Sequence, residues 1–383
     1  MVIVDECHHV SAFTFEKILR EVNAKYVYGL TATPKRQDGH QPIITMQCGP
    51  IRYQVDALSQ LVKRDFAHYV IPEFTDFRIA QSDMKYQEIC AKLCVDEARN
   101  RQIIDDVLTA YHNGRNCIVL TERTEHADTL FSAINSNAEN VFLLSGKDKA
   151  KDKREKLEAI KAVPSDEKTI IIATGKYVGE GFDEPRLDTL FLAMPISWKG
   201  TLAQYVGRLH RNYDGKTEVI VHDYADIFVP MLDRMYHKRI RGYAEFGYSM
   251  NGSTKAETSF LYDSSNFYQK YSEDIREAVK EIIISSPTVK ASYLKCLMTQ
   301  LPRNIKVMII TTQSNELEQT EDVNFVFQEN VNHTFTVIDN QIVWYGSVNP
   351  LSYNRAESSV LRLINSSLAG KLEDEALVQP RLF

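Results

Sequence analysis

Five short apolar runs between residues 116 and 228 set the tightest limit on what this chain can fold into. They read NCIVLT, VFLLSG, TIIIAT, TLFLAM and EVIVHDY, with helix-like stretches interleaved. Their residues are apolar at successive positions, not at alternate ones. That pattern fits strands covered by helices on both faces, which is the parallel sheet of an α/β unit. The same grammar appears twice more. Near the start, VIV (2–4) reads as a strand, AFTFEKILREV as a helix, YVYGLTATP as a strand ending in a loop and IRYQV (51–55) as a third strand. Near the end, the helix SEDIREAVKEI feeds the strand IIISSP, and KVMIITT, HTFTVID and QIVWYGS follow.

The fold class expected is therefore α/β in several units. Residues 1–62 form a partial first lobe and 63–228 a nearly complete second lobe, entered through the crossover YVIPEFTDF. Residues 84–111 carry a helical stripe of Ile89, Leu93, Ile104, Leu108 and Tyr111, interrupted at Glu97. Residues 229–262 read as a helix, VPMLDRMYHKRIRGYAEF, followed by the polar linker SMNGSTKAETS, and residues 263–383 form the third unit.

A net charge of −6 does not advertise a nucleic-acid binder and does not exclude one, because a basic track suffices without a basic surface. The six cysteines stand singly, with no CxxC pair, which fits a reducing cytoplasm and points away from zinc. No apolar run approaches the roughly 20 residues of a membrane span. The expectation is a cytoplasmic protein with no membrane partner.

The first strand leads straight into Asp5-Glu6-Cys7-His8. A parallel strand delivers its C-terminal residues to the ligand crevice of an open sheet. Two adjacent carboxylates there suit nucleotide hydrolysis: one holds Mg²⁺ through water, and the other orients or deprotonates the attacking water. Leu30-Thr31-Ala32-Thr33-Pro34 ends another strand. Ala173-Thr174-Gly175 and Gly179-Glu180-Gly181-Phe182-Asp183 follow later. Gln204, Gly207, Arg208 and Arg211 then fall at i, i+3, i+4 and i+7, one face of a helix, from which two arginines can reach a triphosphate on another lobe.

The ordered set DECH, TATP, TER, ATG…GEGFD and QxxGRxxR resembles superfamily 2 helicases of the DExH type over roughly residues 1–228. The resemblance implies two RecA-like lobes using ATP and Mg²⁺. It implies Asp5 as the metal-holding carboxylate, Glu6 as the water activator and His8 as a contact to the second lobe. Thr31 and Thr33 resemble the coupling loop, and Gln204, Arg208 and Arg211 the γ-phosphate sensor and arginine fingers. Gly181 and Asp183 resemble the segment near the nucleotide ribose. Thr121, Arg123, Ser145, Thr174 and Gly175 resemble positions that grip a nucleic-acid backbone. As plain structure, the same threonine and serine are strand-end turn formers, Arg123 a surface ion pair and the glycines tight turns.

The 383 residues contain no G-x-x-x-x-G-K-[ST] loop. Gly215-Lys216-Thr217 lacks the upstream glycine, since His210 stands there, and so is a decoy. The expectation is a truncated or split motor, inactive alone, with a separate polypeptide carrying the missing part as one possible partner. The tail resembles a phospholipase D-type domain through Ser285-Ser286-Pro287, HTFTVID and Gly346-Ser347-x-Asn349. Anchored on Asp339, that family's His and Lys fall on Asn332 and Thr334, with His333 one place out of register. A degenerate, non-nuclease domain is the reading favoured. Lys238, Arg239 and Arg241 are candidates to line a strand exit path, with a solvated helix face as the alternative. DNA is favoured over RNA as the track, because this domain mixture resembles helicases of bacterial defence and restriction systems. A non-catalytic nucleic-acid-binding or assembly protein and a nuclease stay open as alternatives.

Overall fold

A computed structural model describes residues 1–5, 7, 17–18, 21–31, 41–53, 66–80, 84–175, 182–196, 199–250, 259–312, 323–354 and 358–377. Glu6, His8, Thr33 and Gly181 lie outside the described residues, as do most of the expected first helix and linker.

The N-terminal part holds two parallel strands, β1 (Val2–Val4) and β2 (Val27–Gly29), and a helix α1 (Gln41–Cys48). Residues 51–53 of the expected third strand are not strand. Next comes a six-stranded sheet, parallel throughout, in the order β3-β8-β7-β4-β6-β5. Its strands are β3 (Ala67–Phe74), β4 (Cys117–Thr121), β5 (Val141–Leu144), β6 (Ile170–Thr174), β7 (Thr189–Leu192) and β8 (Glu218–Ala225). Alternate side chains of β4 enter two cores. Cys117 and Val119 face α3 (Glu97–His112) and α4 (Thr124–Asn135), through Ile103, Val107, Leu130 and Ile134. Ile118 and Leu120 face the core of α5 (Ala150–Ala162), α6 (Lys199–Leu209) and α7 (Pro230–Glu245), through Ile160, Leu202, Val206 and Ile240. All five residues of β4 are buried, as the unbroken apolar run requires.

The expected helix over 84–111 is two helices, α2 (Tyr86–Val95) and α3. Asp96 breaks it by taking an extended conformation and accepting the Arg99 N–H at 2.8 Å, which is N-cap behaviour. Arg99 itself is buried. Its guanidinium pairs with Asp226 at 2.7 Å and donates to Ala193 O at 2.7 Å, and Asp226 also accepts the Thr75 hydroxyl. That knot ties α3 to the C-terminal ends of β3, β7 and β8.

The third unit is a mixed seven-stranded sheet, β12-β11-β10-β13-β14-β15-β9, parallel only across β10–β11–β12. The strands are β9 (Ser259–Asp263), β10 (Glu281–Ser285), β11 (Lys306–Thr311), β12 (Val323–Phe327), β13 (Phe335–Ile338), β14 (Ile342–Gly346) and β15 (Ser359–Ile364). Helices α8 (Phe267–Glu277), α9 (Ala291–Met298) and α10 (Ser366–Leu377) accompany them. β9 starts within the residues expected as linker and pairs with β15 at the sheet edge.

Helix α7 joins this sheet to the second lobe. On one side Arg239, expected on a strand path, is 3 % exposed and grips the fully buried Asp223 with Nε–Oδ2 and Nη2–Oδ1 distances of 2.8 Å. It also donates to Ile196 O at 2.9 Å. Arg239 is therefore a structural tie of α7 to β8, because burial leaves it no route to a ligand. On the other side, Asp233 accepts the Tyr345 hydroxyl at 2.5 Å, and His237 and His333 stand beside it at 3.4 and 3.9 Å. The pairs Arg78–Glu375 and Lys371–Asp76 rim this contact. Among the described residues no helix is long and apolar enough to cross a membrane.

Candidate functional site

In the six-stranded sheet the chain order reverses at β4: β5 and β6 lie on one side, and β7, β8 and β3 on the other. The loops after the C-terminal ends of these strands open around such a switch point, where ligands bind in open α/β sheets. Thr121 and Thr174 end the neighbouring strands β4 and β6 and are register partners. Ser145 and Gly146 follow β5, and the Gly146 N–H donates to the Thr174 hydroxyl at 3.2 Å. The structure thus brings Thr121, Arg123, Ser145, Thr174 and Gly175 to one edge.

Their exposure differs. Thr121, Ser145 and Thr174 are buried, at 1 %, 4 % and 5 %. Ser145 and Thr174 orient the 145–147 turn, since the Ser145 hydroxyl accepts the Lys147 N–H at 3.1 Å. Arg123 is half-buried, and its guanidinium reaches Gln87 on α2, both the carbonyl at 3.1 Å and the side chain. Gly175 is needed for close approach, not for a left-handed turn. A Cβ built there would lie 2.2 Å from the Tyr205 hydroxyl, so α6 packs directly on the loop after β6. Burial, reinforced by Glu122, raises the Tyr205 phenol to about 12. Glu122, next to Thr121, has its carboxyl raised by burial, with Arg123 opposing.

Helix α6 places Gln204 and Arg208, but it ends at Leu209, so Arg211 does not continue the expected helical face. Lys216 explains the end. Its ammonium lies among four carbonyls that share its three N–H groups: Leu209 O at 3.1 Å and Arg211 O at 2.9 Å, at the helix terminus, and Pro185 O and Leu187 O at 2.7 Å. The tripeptide read as a decoy for a phosphate loop is thus a clamp between α6 and the segment before β7. The residue before it, Gly215, holds φ at +84°, the turn that lets the lysine fold back. Both arginines converge on one short segment: Arg208 Nη1 donates to Phe182 O at 3.0 Å, and Arg211 pairs with Asp183 at 3.0 Å. The second pair is more than half exposed, so it is weak and exchangeable.

Asp5 stands exposed at the end of β1, and Thr31 follows β2. Leu30 is tied to Val4 O and Cys7 N, which holds the ends of these strands together. Among the described residues no cluster of three His, Cys, Asp or Glu side chains forms a metal cage. An exposed carboxylate such as Asp5 fits Mg²⁺ that keeps its waters and takes other oxygens from phosphates.

Sequence reasoning missed His126 and Asn100. His126 is fully buried, with Nδ1 3.0 Å from the Thr121 hydroxyl and Nε2 2.9 Å from Asn100 Oδ1. The available signal was a histidine five residues after a strand-end threonine, on the inward face of α4. In the third unit, Asp339 has φ +55° in the β13–β14 turn and accepts N–H bonds from Val279, Lys280 and Glu281 at 2.6–3.0 Å. It pins that hairpin to the start of β10. His333 sits near the opposite end of β13, against Asp233 and Tyr345.

Residues 99–213 match the family described as helicase conserved C-terminal domain, and residues 1–36 match the type III restriction enzyme res subunit family. A protein of Acanthamoeba polyphaga mimivirus described as an ATP-dependent RNA helicase is 24% identical over 329 residues, covering 84% of this chain and 60% of its own length. A protein of a Sulfolobus islandicus filamentous virus described as a helicase is 27% identical, over 60% of this chain and 43% of its own. A fragment structure described as an HsdR subunit of a type I restriction enzyme from Vibrio vulnificus is 20% identical, with a TM-score of 0.46, over 58% of this chain and 43% of that one. The chain spans about half the length of the curated relatives it matches. The two matched segments and the relatives described as helicases thus mark what this chain is similar to.

Proposed function

We propose that this chain supplies the second RecA-like lobe, and part of the first, of a DExH-type motor that couples ATP hydrolysis to movement along nucleic acid. The observation that carries the reading is the convergence of Arg208 and Arg211 on the Phe182–Asp183 segment, on the lobe whose strand ends also gather Thr121, Arg123, Ser145, Thr174 and Gly175. Two guanidiniums gathered at one segment can stabilise charge developing on a transferring phosphoryl group, and the weak Arg211–Asp183 pair can release its arginine to do so. MgATP supplies the phosphoryl group when bound. The residues assigned to it are Asp5 for the metal through water, Glu6 for the attacking water and His8, Thr31 and Thr33 for coupling. Gly181 and Asp183 serve the nucleotide, and Gln204, Arg208 and Arg211 the γ-phosphate.

DNA is the favoured track, because the first residues match a restriction-enzyme subunit family. The RNA helicase description of the mimivirus relative supports the alternative. The third unit is read as a degenerate phospholipase D-like domain used for binding or assembly.

The test has two arms. A polypeptide of these 383 residues shows no strand-stimulated ATP hydrolysis, since it contains no phosphate-binding loop. Joined or mixed with a polypeptide that carries that loop, it hydrolyses ATP, and Arg208→Ala or Arg211→Ala lowers turnover by about 10³. Full turnover in both variants rejects the finger roles. Brisk turnover by the 383 residues alone rejects the need for a partner.

A further inference from the structure

The hydrogen-bond chain behind Thr121 fixes where each of its protons sits. Asn100 Nδ2 donates to Cys94 O at 2.9 Å, which turns the Asn100 oxygen toward His126 Nε2, also at 2.9 Å. An amide oxygen only accepts, so Nε2 carries the hydrogen. His126 is wholly buried, and that burial, with the nearby Arg99 cation adding to it, pulls its pKa down to about 3. The ring is therefore neutral at pH 7, and with Nε2 protonated its Nδ1 is bare. Thr121 Oγ1 lies 3.0 Å from that nitrogen, so its hydroxyl hydrogen points inward to His126. On its other side the oxygen accepts the Arg123 N–H at 3.3 Å. A threonine hydroxyl has one hydrogen, and this one is spent. With 1 % exposure as well, Thr121 has neither the donor nor the access to hold a phosphate.

We propose that His126 is a positioning residue of the strand grip, and that Thr121 is its link to the loop and not a contact to nucleic acid. The loop carrying Arg123 is then tied twice to the α2–α3 hairpin. Through Thr121, His126 and Asn100 it reaches Cys94 O, and through the Arg123 guanidinium it reaches Gln87. The inner tie sets the turn, and the outer one, exposed and made by a guanidinium to an uncharged partner, is the one a phosphate can replace. The proposal rests on the reading of this edge as a strand-binding site.

Two measurements on the chain test it. Imidazole ¹⁵N correlation spectra at neutral pH should show His126 as the Nε2–H tautomer with a bare Nδ1, and a ring protonated at Nδ1 overturns the proton assignment. Fluorescence anisotropy with a labelled single strand of about 30 nucleotides should show Thr121→Val and His126→Phe each weakening binding by about tenfold, because each breaks the same buried chain. The double variant should bind no more weakly than either single one. A loss with Thr121→Val alone, at full affinity for His126→Phe, makes Thr121 a direct contact and sinks the proposal. A parent chain that binds no strand refutes the strand-site reading before any variant is made, and the spectrum of the unaltered chain still decides the tautomer if a variant fails to fold.

Discussion

Replacing Arg239 by leucine is the sharpest test of how this architecture is held together. The substitution removes a guanidinium that fills both oxygens of Asp223 and the carbonyl of Ile196, at a site where Asp223 has no exposure. It leaves a buried carboxylate with no cation, and breaking a buried pair in this way costs roughly 3–5 kcal/mol. That is a large share of the roughly 5–15 kcal/mol that holds an ordinary domain folded. The variant should therefore unfold at a much lower urea concentration, or not fold. Removing both charges, with Arg239→Leu and Asp223→Leu together, should recover most of the loss, since desolvating a pair offsets much of its attraction. Urea unfolding followed by tryptophan fluorescence and by circular dichroism gives both numbers. A single variant within about 1 kcal/mol of the parent refutes the structural assignment. The same single variant, stable but defective in strand binding, restores Arg239 to a strand path.

Three further outcomes follow from the geometry. Gly346→Ala should be strongly destabilising, because its Cβ would meet Ser359 O at 2.3 Å and Val360 Cα at 2.6 Å, both backbone; Gly370→Ala, with open space inside α10, should gain about 0.5–1 kcal/mol, and thermal melts that rank the two the other way reject the packing of β14 on β15. Burial raises the Asp233 carboxyl, but His237, Tyr345 and His333 outweigh it and the net direction is down, while burial lowers the His333 imidazole; stability at this junction should therefore fall on acidification, first as pH drops below about 6.5 and again below about 4, and Tyr345→Phe should cost about 1–3 kcal/mol at neutral pH. A pH-independent unfolding midpoint between pH 7 and 5 contradicts it. The chain should not cleave phosphodiesters, since Thr334 offers no cation and His333 is engaged with Asp233 and Tyr345; plasmid cleavage that His333→Ala abolishes makes it a nuclease.

The slip that would bring His333 into register is opposed from two sides. Phe335 and Val337 of β13 enter the core shared with the second lobe, and Ile338 enters the separate core under Trp344, so both faces are committed. Alternation in the sequence marks two faces, but it does not show that both are buried.

Local pattern carried much of the fold. Each of the five apolar runs over 116–228 became a strand, because an unbroken run satisfies both faces of a parallel sheet regardless of what covers it. The strand ends were legible for the same reason, while Thr121, Ser145 and Thr174 were grouped by resemblance alone and the parallel order of β4, β6 and β5 sets them on one edge. What the sequence could not carry was partnership. β3 reads as a crossover and is in fact the sheet edge beside β8, paired across about 150 residues of chain. Arg239 and Lys216 read as surface charge and decoy, yet one is a buried tie and the other a clamp, because a cation's role depends on which carboxylates and carbonyls the fold brings to it. Thr121 shows the boundary most sharply. Its position at the end of β4 was written in the apolar run before it, but the direction of its one hydroxyl hydrogen was set by Asn100 and Cys94, which reach it only when α2 and α3 pack beside α4.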